Sequence, residues 1–302
     1  GGVMEFSGVF TALVTPFDKN EKINFKVLKN VLNNQINAGV SGVVCNSTTG
    51  EGINLTKKEK IKLIKFYLKN INKKIKVLAC VGNMSTSETI AEIKLFNKFD
   101  IDGFLLNMPF FNKPNESGLI AHLEKITKNS QKPIIIYNVP SRSGLKLNEN
   151  VINKISKIKQ IAGIKEASGD LNLIFKSAQN NNFSVLSGCD ELFLPSLMLG
   201  ANGIISVASN IYPKEMVNIY NLFKNKKYDE AKKLFFDIEN ILKVLFVESN
   251  PVPIKFAINC VGEKVGATRL PLGELSKNKD EKLYKKLPLY LVCEEKIINN
   301  KN

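Results

Sequence analysis

The chain has 302 residues, 44% of them hydrophobic, and its 43 basic and 28 acidic residues give a net charge of +15. That length suits one large α/β domain or two small ones, and no apolar run approaches the ~20 residues a membrane-spanning helix needs. The charge does not amount to a nucleic-acid signature: only Arg142 and Arg269 are arginines, and the lysines are scattered over helical stretches such as "KKEKIKLIKFYLKNINKK", where they read as solvated faces whose field at most attracts an anionic substrate.

In chain order, eight short strand-like runs recur: "GVFTALVTPF" (8–17), "GVVCNST" (42–48), "KVLACVG" (76–82), "GFLLNMP" (103–109), "PIIIYNVP" (133–140), "IAGIKEAS" (161–168), "FSVLSGCD" (183–190) and "GIISVAS" (203–209). Each is continuously apolar rather than alternating, as expected of strands buried on both faces. Amphipathic helical stretches separate them, among them 25–39, 57–71, 86–99 and 116–130. Alternating β and α with parallel strands is an α/β fold, and eight units in about 200 residues predict a (β/α)₈ TIM barrel. A doubly wound open sheet is the alternative, but no G-x-G-x-x-G or phosphate-loop pattern follows any strand. Beyond residue 210 the pattern is wholly helical (213–226, 228–247, 251–262 and a last piece near 279–297). The expected organisation is therefore a barrel over 1–210 with a C-terminal helical extension, 211–302, packed on it.

Smaller features narrow the chemistry. The Gly-Gly-Val start has no basic stretch leading into an apolar run, so no signal peptide is expected. Cys45, Cys80, Cys189, Cys260 and Cys293 are odd in number and contain no C-x-x-C pair, as expected of reduced thiols in the cytoplasm. The single histidine, His122, lies in the helical pattern "GLIAHLEKI" and is expected to be structural. A zinc site or a histidine base is thereby nearly excluded.

A barrel places its site at the carboxyl ends of the strands. Those ends carry "STTGE" (47–51), "MPFFNKP" (108–114), "YNVPSRSG" (137–144), "KEASG" (165–169), "GCDE" (188–191) and "SVASN" (206–210). Lys165 ends an apolar strand, where an ammonium is costly unless something uses it. Burial also pushes a lysine toward its nucleophilic amine form, which suggests a Schiff base with a carbonyl substrate. Tyr137, ending the neighbouring strand, can carry a proton, and Thr48 can relay it. Gly50 allows backbone N–H groups to approach a small carboxylate, and Arg142 can bind a carboxylate in bidentate fashion. The residues alone leave other readings open: a salt-bridged structural lysine, a core tyrosine with its hydroxyl at the rim, an ordinary turn at Thr48–Gly50, and Glu51 as a helix-start or supporting residue.

"STTGE", "YNVPSRSG" and "GIKEASG", in that order and spacing, resemble the dihydrodipicolinate synthase / N-acetylneuraminate lyase family of class I aldolases. "GVFTALVTPF", "GIISVASN", "FVESNPVPIKFA" (246–257) and "TRLPL" (268–272) extend the resemblance over nearly the whole chain. Thr48-Thr49, Arg142, "NKP" and "NPVPIKFA" favour the synthase branch. The resemblance implies condensation of pyruvate with aspartate-4-semialdehyde on the way to diaminopimelate and lysine, in a homo-oligomer, with no metal or organic cofactor. It implies that Lys165 forms the pyruvate imine and that Tyr137 shuttles protons with Thr48 hydrogen-bonded to it. Thr49 is implied to bind the pyruvate carboxylate, Arg142 the semialdehyde carboxylate, and Gly188 and Ile205 to line the pocket. The alternatives are a related pyruvate-dependent aldolase or lyase, or a non-catalytic binding barrel.

Two departures stand out. Phe110 and Phe111 occupy positions where the resemblance implies tyrosines, the second of which completes a proton relay from a neighbouring subunit. Phe111 has no hydroxyl, which leaves the acceptor aldehyde open. The positions implied for a lysine-binding cleft hold Gly52, Ile53, Lys57, Met84 and Phe110, with only Glu88 kept, so inhibition by lysine is not expected.

Overall fold

Each of the eight apolar runs forms a short strand: β1 Gly8–Ala12, β2 Gly42–Cys45, β3 Lys76–Val81, β4 Gly103–Asn107, β5 Ile134–Asn138, β6 Ile161–Glu166, β7 Ser184–Ser187 and β8 Gly203–Ser206. All neighbours are parallel, and β8 pairs with β1, which closes the barrel. The computed structural model describes residues 5–181, 183–278, 283 and 285–287. The helices are α1 Phe25–Ala38, α2 Lys57–Ile71, α3 Thr86–Phe96, α4 Glu116–Thr127, α5 Pro140–Ser143, α6 Glu149–Ile155, α7 Leu171–Ser177, α8 Phe193–Met198, α9 Pro213–Lys224, α10 Tyr228–Val244 and α11 Val252–Cys260.

The continuous apolar runs have two destinations. Phe10, Leu78, Leu105, Ile135 and Leu186 belong to a cluster that fills the barrel, together with Phe6 and Ile205. Val9, Val43, Val77, Phe104, Ile134, Ile164 and Val185 belong to the cluster shared with the helices. The helices are amphipathic to match. α2 buries Leu63, Ile64, Tyr67 and Ile71 and starts on a capping box, in which Thr56 accepts from Glu59 N and Glu59 reaches back to Thr56 N.

Some strands stop sooner than their apolar runs. β1 ends at Ala12 because, after Leu13 N makes the last ladder bond to Val44 O, Val14 N turns to the side chain of Asn210. α3 ends at Phe96, short of the expected residue 99, where the Asn97 side chain bonds Asn129 O and Gln131 N. Beyond β8, α9 packs against β1 and α1, and α10 against α9. The helical piece expected near 279–297 lies outside the described residues apart from 283 and 285–287.

Candidate active site

Tyr137 and Lys165 are register partners on β5 and β6. Lys165 is 4% exposed, and its Nζ lies 4.0 Å from the centroid of the Tyr137 ring. Among the described residues it has no hydrogen bond or ion pair. The next register pair locks the two strand ends together. Asn138 Nδ2 donates to Glu166 Oε2 at 2.7 Å, Ser168 N donates to Glu166 Oε1 at 2.7 Å, and Gly188 N donates to Glu166 O at 2.7 Å. Burial pushes the Glu166 carboxyl above the usual carboxylate range, against those hydrogen bonds. The two residues expected to do chemistry thus sit on a frame fixed one residue further along.

The "STTGE" segment forms a tight turn after β2. Gly50 N bonds Ser47 Oγ, Glu51 N bonds Thr48 O, Gly52 N bonds Ser47 O, and Thr15 Oγ1 donates to Gly50 O. Gly52 is obligatory there, since a Cβ would stand 1.8 Å from Asn46 O. Thr49 is buried, and its Oγ1 accepts from Asn250 Nδ2 at 2.9 Å; the carbonyl of the same Asn250 accepts from Arg142 NH2 at 3.0 Å. One residue of the C-terminal segment therefore holds both groups expected to bind substrate carboxylates.

Thr48, Tyr137 and Arg142 share one cavity of about 490 Å³. Thr48 and Tyr137 make no hydrogen bond to each other here. The other walls include Asn46, Asn83, Asn107 and the Lys60–Glu92 ion pair (2.8 Å), together with Gly52, Ile53 and Phe110, which sequence reasoning assigned to a separate cleft. Lys165, Thr49, Gly188 and Ile205 do not line this cavity. Ile205 packs with Tyr137 inside the barrel, and Gly188 lies against Ala167, where a Cβ would approach to 2.5 Å. Cys80 also lines the cavity and Cys189 follows Gly188. Burial pushes both thiols up to about 12, so neither competes with an amine as nucleophile.

At the outlet of β7, Asp190 accepts from Ser206 Oγ, Val207 N at 3.0 Å and Ala208 N at 3.1 Å, which ties the "GCDE" and "SVASN" turns together. Burial raises its carboxyl to about 6. Phe111, which follows the cavity-lining Phe110, is 87% exposed with a left-handed backbone (φ 71°), and Met84 and the cavity-lining Ile53 are exposed as well. His122 is buried, with Nδ1 2.8 Å from Thr86 Oγ1. No group of three or more potential metal ligands occurs among the described residues, and no helix there is long and apolar enough to cross a membrane.

Sequence reasoning missed Asn46, Asn107 and Asn250. Both side-chain polar atoms of Asn46 are buried without a protein partner. A polar residue at the end of an apolar run was the available signal for Asn46 and Asn107. Asn250 stands in a segment quoted only as a resemblance; nothing local marks its contacts, about two hundred residues away in the chain.

Comparison with known proteins agrees with the barrel fold. The model of the dihydrodipicolinate synthetase family matches residues 5–288. A 4-hydroxy-tetrahydrodipicolinate synthase of Clostridium novyi is 39% identical over 287 residues, covering 94% of this chain and 97% of the relative. The crystal structure of a dihydrodipicolinate synthase from Thermotoga maritima superposes with a TM-score of 0.91 at 32% identity, covering 94% of this chain and 98% of that one. The enzyme of Acinetobacter baumannii, solved in complex with pyruvate, gives 0.90 at 35% identity, covering 93% and 97%. The match spans the barrel and the helices beyond it, and the chain belongs to the dihydrodipicolinate synthetase family.

Proposed function

We propose that the protein is a Schiff-base aldolase of the lyase class, a 4-hydroxy-tetrahydrodipicolinate synthase that condenses pyruvate with L-aspartate-4-semialdehyde. The observation that carries the reading is Lys165: a buried amine with no ion pair among the described residues, lying over the ring of Tyr137 at the carboxyl end of a barrel strand. In its neutral form Lys165 Nζ attacks the ketone carbon of pyruvate, and loss of water gives an imine. A methyl proton then leaves, and the resulting enamine carbon attacks the aldehyde carbon, whose oxygen takes up a proton. The amine of the semialdehyde closes the ring on the imine carbon and releases Lys165, so one water is lost overall. In this reading Tyr137 moves protons at the imine. Thr49 receives the pyruvate carboxylate, Thr48 relays the proton with Tyr137, and Arg142, at the cavity wall, receives the acceptor carboxylate.

A second copy of the chain is the expected partner, supported by the exposed apolar side chains of Ile53, Met84 and Phe111. The cytoplasm is the expected compartment. A binding barrel without catalysis has no use for an uncompensated buried amine.

Borohydride added with pyruvate tests the reading: a stable adduct on Lys165 is expected, and its absence overturns the Schiff base. Phe111 favours one second reading, a pyruvate-dependent aldolase with another acceptor, because the residue brings no hydroxyl. A coupled assay of pyruvate against an aldehyde panel, including aspartate-4-semialdehyde and N-acetylmannosamine, decides between the two. Under the first reading Phe111→Tyr raises semialdehyde turnover severalfold. Under the second it leaves that turnover flat while another aldehyde is preferred.

A further inference from the structure

We propose that Lys255, on α11, is a positioning residue for pyruvate: through Glu51 it sets the turn that presents Thr48 and Thr49. The inference rests on the reading above that Thr49 receives the pyruvate carboxylate.

Lys255 is 2% exposed, and its Nζ lies 2.7 Å from Glu51 Oε1, 3.1 Å from Ala267 O and 4.2 Å from the centroid of the Phe17 ring. Glu51 is also buried, and its other oxygen accepts from Arg269 N at 2.9 Å. A buried ion pair tolerates no loss of one partner, because the remaining charge is stranded. The carboxylate is held at a point where the backbone is strained: Glu51 is left-handed, with φ 54°. Its own N–H bonds Thr48 O at 3.0 Å. A shift of the Glu51 side chain is therefore transmitted to the peptide groups on either side of Thr49.

The second link is direct. Asn250 lies on the same segment as Lys255 and donates to Thr49 Oγ1. With its oxygen accepting from that amide, the Thr49 hydroxyl keeps its proton for a ligand oxygen. Two anchors from one segment, Asn250 on Thr49 and Lys255 on Glu51, thus grip the turn at both ends. Displacing one end by a fraction of an ångström misaims the donor, and misplacements near 1 Å cost about a hundredfold in related settings.

The charged groups facing Lys255 are Glu51 and Arg269, the latter paired with Glu59 at 2.6 Å. Burial pulls the Lys255 ammonium down to about 8 even with Glu51 beside it. The charge that holds Glu51 is consequently lost as pH rises through 8, and an arginine in its place would keep it.

The experiment is borohydride trapping at graded pyruvate concentrations, with steady-state KM for the aldehyde, on wild type, Lys255→Met, Glu51→Gln, the double variant and Lys255→Arg. In Lys255→Met the pyruvate concentration for half-maximal trapping rises about tenfold or more, while the aldehyde KM stays within about twofold. Glu51→Gln, nearly isosteric and able to keep the Arg269 contact, moves it about threefold or more and is informative even if Lys255→Met does not fold. The double variant strands no charge yet still lacks the anchor, so its half-saturation stays raised; full recovery to wild type overturns the proposal. Wild type binds pyruvate more weakly at pH 9 than at pH 7, and Lys255→Arg flattens that difference. Unchanged half-saturation in both single variants, with only the melting temperature lowered, overturns the proposal, as does an equal loss for both substrates. Absence of any adduct in wild type is a different result, which overturns the Schiff-base reading itself.

Discussion

Lys165 on β6 and Lys255 on α11 are buried almost equally, at 4% and 2% exposure, and each ammonium lies about 4 Å from the centre of an aromatic ring. Their remaining neighbours differ. Lys255 has a carboxylate at 2.7 Å and a carbonyl at 3.1 Å; Lys165, among the described residues, has neither. An isolated buried ammonium is costly, so the fold carries at Lys165 a charge that it compensates at Lys255. The compensated lysine is part of the frame, whereas the uncompensated one is the amine for which the proposed chemistry supplies a use.

The largest expected effect tests that contrast directly. Lys165→Met abolishes turnover and the borohydride adduct yet leaves the melting temperature unchanged or higher, because an unpaired charge is replaced by an apolar chain of similar size. Lys255→Met strands Glu51 and lowers stability by about 3–5 kcal/mol. Equal stability losses in thermal denaturation would dissolve the distinction. Next in size, Tyr137→Phe keeps the ring against Lys165 and removes only the hydroxyl, so the rate falls about 10²–10⁴-fold in the coupled assay while the fold is kept. Arg142→Ala weakens use of the semialdehyde by roughly 10–150-fold, one charge-assisted contact, and spares formation of the pyruvate imine; equal damage to both steps would make Arg142 structural.

Asp190 extends the comparison to an anion that has donors but, among the described residues, no ion pair. Its carboxyl sits at about 6 in the fold against an ordinary 3.8. Between those values the folded protein binds a proton more readily than the unfolded chain, so this group's contribution to stability is greatest below pH 4 and is lost as pH rises through 6. Asp190→Asn is expected to remove roughly 1–3 kcal/mol of pH dependence between pH 4 and 7 in chemical denaturation. The smallest effect is none: millimolar lysine leaves the initial rate unaltered, since Gly52, Ile53, Met84 and Phe110 offer no side-chain polar partner and Lys57 repels a cation. Half-inhibition would refute that.

The barrel was legible because burial on both faces writes itself into consecutive residues: runs such as "PIIIYNVP" need no partner to be recognised. Lys165 and Tyr137 were legible for the complementary reason, as polar groups at the ends of such runs. Strand ends were less so. Nothing in "GVFTALVTPF" says that the Val14 amide will bond Asn210 rather than continue the ladder. Nor does local sequence disclose that Glu51 meets Lys255 or that Asn250 meets Thr49, because those contacts depend on where the C-terminal helices come to rest. The merging of the expected lysine cleft with the substrate cavity was hidden for the same reason: Ile53 and Phe110 lie on different loops that only the closed barrel brings together.

The position of Asn250 has a consequence for the order of events during synthesis. A nascent chain that has emerged through β8 already possesses every strand of the barrel, the reactive lysine and the tyrosine beside it. It lacks the amide that holds Thr49, the carbonyl that holds Arg142 and the ammonium that holds Glu51. At ordinary translation speeds the segment carrying all three follows about 2–10 s later. Through that interval the amine exists without the groups that hold Thr49 and Arg142, so under the proposed function competence to discriminate among carbonyl compounds arrives after the proposed nucleophile does, together with α11.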